Sequence, residues 1–303
     1  MKINFYNFLI SIISVTITIL GSGPSRSIPR DDCRCALCRD ARRDGKSART
    51  RSSILIQNKK TSALIDTSPD FLLQARREKI KKIDAVFFTH EHSDATGGFG
   101  DFVSWCREYG QHPQIFAEDA IINYLQRKFP SAKKIPIRPP LQRGDDGLSL
   151  LQREYPARAG GGISIRLIAP FTRVKIGSIT VESFRVYHGL RSVPTLGYRI
   201  NDKTIFISDF DGLPPKSARY LRDMKTMILD AAMWFGRKMK GHNTPKEAVA
   251  IAKRFNPKIL YLTQTGHTWP PHDEAQKIID KYAEEQGTPF SIIPTYDGLK
   301  IKI

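Results

Sequence analysis

Several features that would place a protein at once are scarce or missing here. Cysteine occurs only four times in 303 residues. A secreted disulfide scaffold would space its thiols more widely and usually in even numbers, whereas three of these four crowd into Cys33-x-Cys35-x-x-Cys38. No clean apolar run reaches the roughly 18 residues that a membrane-spanning helix needs. The nearest candidate, Asn4 to Leu20, is interrupted by Ser11, Ser14, Thr16 and Thr18, and no small-residue cleavage site follows it. A membrane span and a secretory leader are therefore not expected, and a reducing, cytoplasmic setting is. Internal repeats with a period of about 20–50 residues are absent. Acidic side chains are in short supply, 30 Asp+Glu against 48 Lys+Arg, for a formal net charge of +18. Such a surface attracts phosphorylated substrates or nucleic acid. The basic residues are scattered, so the same balance also fits a Lys/Arg-rich proteome with no polyanion partner.

What is present describes a folded chain. Hydrophobic residues make up 40% and charged residues 26%, ordinary values for a globular protein. Val15-Thr-Ile-Thr-Ile-Leu20 alternates like a strand and runs into Gly21-Ser-Gly23. The domain is accordingly expected to span residues 14–303, with 1–13 as an extension of undefined role. Four apolar runs then stop at a polar residue. Ala85–Thr89 leads into His90-Glu-His92-Ser-Asp94, Ser183–Tyr187 into His188, Thr204–Ser208 into Asp209, and Ile259–Thr263 into Gln264. Open α/β sheets carry their sites at the carboxyl ends of strands.

Between the strands, Thr244-Pro-Lys-Glu247 is a capping box with proline at the first helical position, predicting a helix through about Arg254. Asp273 to Glu285 reads as another helix, stopped by Gly287. Thr67–Arg77 reads as a turn and short helix after the strand Ala63–Asp66. Asn201-Asp202 marks a hairpin between Leu196–Ile200 and Thr204–Ser208. Residues 130–162, rich in Pro, Gly and Arg, read as an irregular connection, with a substrate lid as the alternative.

His-x-His-x-Asp after a strand is a compact chelating turn. Two imidazoles two residues apart can point at one metal while the carboxylate reaches an adjacent position. His188 would add a third nitrogen and Asp209 a carboxylate toward a second metal. A lone histidine at a strand end is usually just a satisfied polar group; the combination of all these strand ends points to a centre. Three bound nitrogens leave a coordination position open, where water has its pKa lowered toward about 7. The clustered thiols suit a metal as well, with a redox Cys-x-x-Cys as the other reading. Cys106 is expected to be a buried apolar residue, and His112 and His272 surface or loop residues.

The order of Gly21-Ser-Gly23, the cysteine cluster, Leu64-Ile-Asp-Thr-Ser-Pro-Asp70, Thr89–Asp94, His188, Gly197-Tyr-Arg199, Ser208-Asp209 and Thr263-Gln-Thr-Gly-His267 resembles the metallo-β-lactamase superfamily. Within it, the chain is similar to the branch of the phosphoribosyl cyclic phosphodiesterase and the pyrroloquinoline-quinone biosynthesis protein B. The resemblance implies an αββα sandwich of the α/β class, a di-metal site and phosphodiester hydrolysis. It assigns His90, His92 and His188 to a first metal, Asp94 to a second, and Asp209 to a bridge between them. It makes Asp66 an aspartate that orients the metal-binding loop, and His242 a residue that contacts substrate phosphate or assists the leaving group. It completes a structural zinc site from Cys33, Cys35 and Cys38 with His267.

Two positions depart from the pattern. The family's second-site histidines are replaced by Ala95 and Gln264; alanine offers no ligand, and an amide oxygen is a poor substitute for imidazole at zinc. The resemblance thus implies a hydrolase with one catalytic divalent metal (zinc, or manganese or iron) acting on a small phosphorylated substrate. Asp94 would serve it as base and His242 as acid. A diverged binding or cofactor-biosynthesis protein and an RNA-processing nuclease are the other readings, the last disfavoured by Ala95. A homodimer is compatible with any of them.

Overall fold

Most of the predicted strands are apolar on both sides, so neither face of the sheets they form is left for water. The computed structural model, which describes residues 14–43, 45–138, 140, 149–150, 162–189, 193–237 and 239–303, resolves them into two eight-stranded sheets. The first contains β1 (Thr16–Gly21), β2 (Ser53–Gln57), β3 (Ser62–Ile65), β4 (Ala85–Phe87), β5 (Gln114–Ala117), β6 (Ile137–Arg138) and β8 (Ser164–Leu167), with β16 (Lys300–Lys302) at its edge. The second contains β7 (Ser149–Leu150), β9 (Arg173–Ile176), β10 (Ile179–Val186), β11 (Thr195–Ile200), β12 (Thr204–Ile207), β13 (Thr226–Asp230), β14 (Ile259–Thr263) and β15 (Ser291–Pro294).

Alternation along each strand divides the apolar residues between two interiors. Ile54, Ile56, Ile65 and Phe87 point from the first sheet into a core shared with Val181, Tyr198, Phe206 and Ile228 of the second. Their neighbours Leu55, Leu64 and Val86 pack outward against Phe71, Phe102 and Trp105. These come from α2 (Phe71–Arg77) and α4 (Phe99–Glu108); α1 (Ala36–Ala41) precedes them and α3 (Ser93–Thr96) lies between them in the chain. Cys106 is fully buried there, its thiol pushed up to about 12 by burial, so it serves as a core residue. Beyond α5 (Asp119–Lys128) and α6 (Pro215–Ala218), the second sheet covers its outer face with α7 (Pro245–Phe255) and α8 (His272–Glu285). Leu229, Leu260 and Leu262 meet Ala248, Val249, Ala252 and Ile279 on that side. The result is an αββα sandwich, the architecture that the resemblance implies.

Local chemistry sets the element ends as the sequence predicts. Thr244 caps α7, its hydroxyl accepting from Glu247 N at 3.4 Å while Glu247 takes the Thr244 amide at 2.8 Å. Asn201 and Asp202, at φ 49° and 55°, turn β11 into β12. The irregular connection is bounded by a 3₁₀ turn at Ala132–Lys134 and by β6 and β8; residues 139, 141–148 and 151–161 within it, and the extension 1–13, lie outside the described residues. No described helix is long and apolar enough to cross a membrane.

Candidate metal centre

The chemistry collects where β3, β4, β10, β12, β13 and β14 end. Asp66 leaves β3 at φ 65°, and its two carboxylate oxygens accept from Thr89 N and Thr89 Oγ1, each at 2.8 Å. The threonine proton is thereby committed to Asp66. His90 Nδ1, 2.8 Å from the same hydroxyl oxygen, must then donate to it. That leaves the His90 Nε2 lone pair unprotonated, and this atom is buried with no hydrogen-bond partner. Burial also pulls the imidazole down to about 3, so it stays neutral.

His188 is held in the same tautomer by donating Nδ1–H to Gly241 O at 2.8 Å. Gly241 is required at that point: it sits at φ 92°, and a Cβ there would lie 2.9 Å from His188 Nδ1. His92, the most exposed of the three, completes the set. One ligand atom each from His90, His92 and His188 lies within 4.8 Å of the others. Three imidazoles gathered round one point, one of them with a buried and unpartnered lone pair, fit a divalent cation.

Asp209 is buried at 3% exposure at the end of β12. Burial alone would raise its pKa, but His90, His242 and His188 outweigh that and hold it at about 2. Its carboxylate groups with His188 and His242 on one side and with His90 and Asp94 on the other, again within 4.8 Å. Asp94 is pushed up to about 6, first by burial and then by Asp209.

The second metal position fares differently. Ala95 is buried and offers no donor atom. Gln264 donates its amide Nε2 to Asp209 Oδ2 at 2.7 Å, occupying an oxygen that a second cation would want. Three imidazoles fit one metal, and the donors left around Asp209 for a second are Asp94 and His242, without an imidazole at 95 or 264.

One residue of the centre is not among those the sequence singles out. Asp230, the last residue of β13 and fully buried, lies 2.7 Å from His242 Nδ1 through Oδ2, while its Oδ1 accepts from Ala232 N at 2.7 Å. Burial disfavours the His242 cation, yet Asp230 and then Asp209 lift its pKa to about 9. A signal for it does exist: Thr226-Met-Ile-Leu-Asp230 is a fifth apolar run stopping at a polar residue.

In the segment that follows β1, Cys33, Cys35 and Cys38 meet His267, bringing one ligand atom each within 4.8 Å of one another. His267 Nε2 stands 3.2 Å from Cys33 Sγ and 3.5 Å from Cys35 Sγ. Burial and the neighbouring thiols push Cys38 up to about 11, and three thiols with one imidazole make a donor set suited to a soft divalent cation. His112 is exposed as expected, but His272 is not a surface residue: it is 5% exposed. It opens α8 with its amide on Ser47 Oγ at 2.9 Å, and its Nδ1 lies 3.5 Å from the buried Arg49 guanidinium. Sequence could not show this, because Arg49 is more than 200 residues away along the chain.

The β-lactamase superfamily domain model matches residues 61–263, two thirds of the chain and every strand end of the centre up to β14. The chain belongs to this superfamily. Among solved structures it is similar to a diphosphatase from the PhnP family, at 27% identity and TM-score 0.75, with 96% of this chain and 97% of that one covered. The zinc-bound PqqB from Methylobacterium extorquens shares the fold at 18% identity and TM-score 0.69, over 95% and 100%. An octanoyltransferase from Porphyromonas gingivalis is 27% identical over 287 residues, 94% of this chain. The chain spans about half the length of that relative, 52%.

Proposed function

We propose that the protein is a metal-dependent hydrolase of small phosphodiesters, working with one catalytic divalent metal at His90, His92, His188 and Asp209. A structural zinc is assigned to Cys33, Cys35, Cys38 and His267. The observation that carries this reading is the convergence of three imidazoles, each of the two buried ones fixed in the metal-ready tautomer, beside the Asp230–His242 pair. When bound, the metal supplies Lewis acidity and lowers the pKa of attacking water.

The chain's own residues do the rest. Asp94 accepts the proton of the attacking water, whose oxygen forms the new bond to phosphorus. The bond from phosphorus to the leaving oxygen breaks with its electron pair on that oxygen, which takes the Nε2 proton of His242. Asp230 keeps His242 in the donating form. Diester and water thus become monoester and alcohol. The 27% identity to a diphosphatase over nearly the whole chain supports hydrolysis at phosphorus.

Acyl transfer, suggested by the name of the longer relative, is less well served by these residues. It calls for a nucleophile able to carry the acyl group, whereas Cys106 is in the core and the other thiols are in the cluster. A non-hydrolytic protein of the same fold is the second reading, favoured by Ala95 and by the Gln264–Asp209 hydrogen bond.

The test is turnover of bis(p-nitrophenyl) phosphate by metal-replete protein and by Asp209→Asn. The variant should lose activity to the detection limit. Unchanged turnover in Asp209→Asn would place the chemistry elsewhere, and no turnover in the parent protein would favour the non-hydrolytic reading.

A further inference from the structure

A cavity of about 510 Å³ opens at His242, and apart from that residue its lining takes no part in the hydrolytic scheme above. It begins at His242 and Asn243 and continues along one face of α7 through Glu247, Ala250, Ile251 and Arg254. Those positions are three, four and seven residues apart, the spacing of a single helical face, and the seven-residue span covers about 10 Å. In that scheme the leaving oxygen sits at His242, the residue at which this cavity begins. The inference rests on the hydrolase reading for that placement.

The lining states what it would accept. Leu213, Met239, Ala250 and Ile251 supply apolar wall, and Met239 is 47% exposed, a large hydrophobic side chain with little covering it. The two acids in the lining are already used. Glu247 accepts from the Thr244 amide at 2.8 Å and hydroxyl at 3.0 Å, and Asp211 accepts from Gly241 N at 2.8 Å. The two cations are not used in that way. Among the described residues neither Lys240 nor Arg254 forms an ion pair, and the contact of Arg254 is with the Phe255 ring, 5.6 Å away. A cavity with a wall part apolar and part charged, its acids already hydrogen-bonded and its two cations without an ion pair among the described residues, suits an anion at the end of an apolar body.

We propose that this cavity is the leaving-group subsite, and that it selects phosphodiesters whose leaving alcohol has an extended apolar body about 10 Å long ending in an anionic group. Arg254, at the far end of the helical face from His242, binds the anion, and Lys240 adds positive charge to the lining; the wall from Leu213 to Ile251 takes the body.

The product alcohol provides a test that needs no turnover. Binding of 8-hydroxyoctanoate, 8-hydroxyoctyl phosphate and the neutral 1,8-octanediol to the full metal-replete chain is measured by calorimetry. At least one anionic probe should bind about ten-fold more tightly than the diol, the scale of one charge-assisted hydrogen bond, and the carboxylate-to-phosphate ratio then identifies the anion. Arg254→Gln combined with Lys240→Gln, both at exposed positions, should bring the anionic probes to within about two-fold of the diol. Equal binding of all three probes by the parent protein, or an undiminished preference in the double variant, overturns the proposal. Turnover of bis(p-nitrophenyl) phosphate without anion preference would leave hydrolysis standing and remove the subsite. Anion preference without any turnover would remove hydrolysis and, with it, the leaving-group role.

Discussion

Replacing Asp230 with asparagine isolates the proton donor from the metal. The carboxylate is fully buried 2.7 Å from His242 Nδ1. It is the largest influence lifting that imidazole from 6.5 to about 9 against the opposing effect of burial. A shift of that size corresponds to about 3 kcal/mol of preference for the protonated form. In Asp230→Asn the amide oxygen can still accept from Ala232 N, so the fold should survive. Its NH₂ group, however, donates toward Nδ1, and His242 becomes a neutral, weaker acid. For an alkyl leaving group, which must be protonated as it departs, kcat/KM should fall by about 10²-fold or more, the lower end of what a positioned acid contributes. For bis(p-nitrophenyl) phosphate, whose phenolate leaves with little help, the loss should stay within about ten-fold. Metal content per chain should not change. An equal loss on both substrates would refute the reasoning, because it would make Asp230 a support for the metal site and not for the donor.

Cys38→Ala should lower metal content by one per chain and destabilise the protein by on the order of 3 kcal/mol, read by elemental analysis and a denaturant midpoint; unchanged stoichiometry would argue against a metal at the thiols. Restoring Ala95→His and Gln264→His together should add up to one further metal per chain by removing the amide from Asp209 and supplying two imidazoles. If occupancy stays the same, those positions are not second-site ligands. The fold should also lose stability on acidification at His272. Burial and then Arg49 depress its pKa to about 4 from 6.5. The unfolded chain therefore binds the proton first as pH falls, and stability present above 6.5 is lost between 6.5 and about 4, up to about 3 kcal/mol. Urea midpoints across that range should drop for the parent protein and drop less for His272→Asn.

Much of the site is legible in the residue order alone, because metal chelation at strand ends is partly a local matter. His90, His92 and Asp94 lie within five residues, and each apolar run announces its own end. The capping box at Thr244 and the Asn201-Asp202 turn are likewise short-range, set by side chain–backbone hydrogen bonds and by tolerance of positive φ. Asp230 does not stand out although it obeys the same strand-end rule, since its importance depends on a partner twelve residues away, across a loop. His272 misleads for a related reason: polarity predicts exposure unless a distant group, here Arg49, gives it a buried partner.

The sequence by itself determined the apolar strand runs, the local cap and turn and the ligand types, while the helix-covered sandwich and the expected loss of ligands at 95 and 264 are what its family resemblance implies. Only the tertiary structure decided which lone pairs face inward. The Asp66–Thr89–His90 chain of hydrogen bonds, the Gly241 carbonyl on His188 and the Gln264 amide on Asp209 each join segments from 23 to 55 residues apart. A tautomer or an occupied carboxylate oxygen is a property of such a contact, and no local pattern of residues contains it.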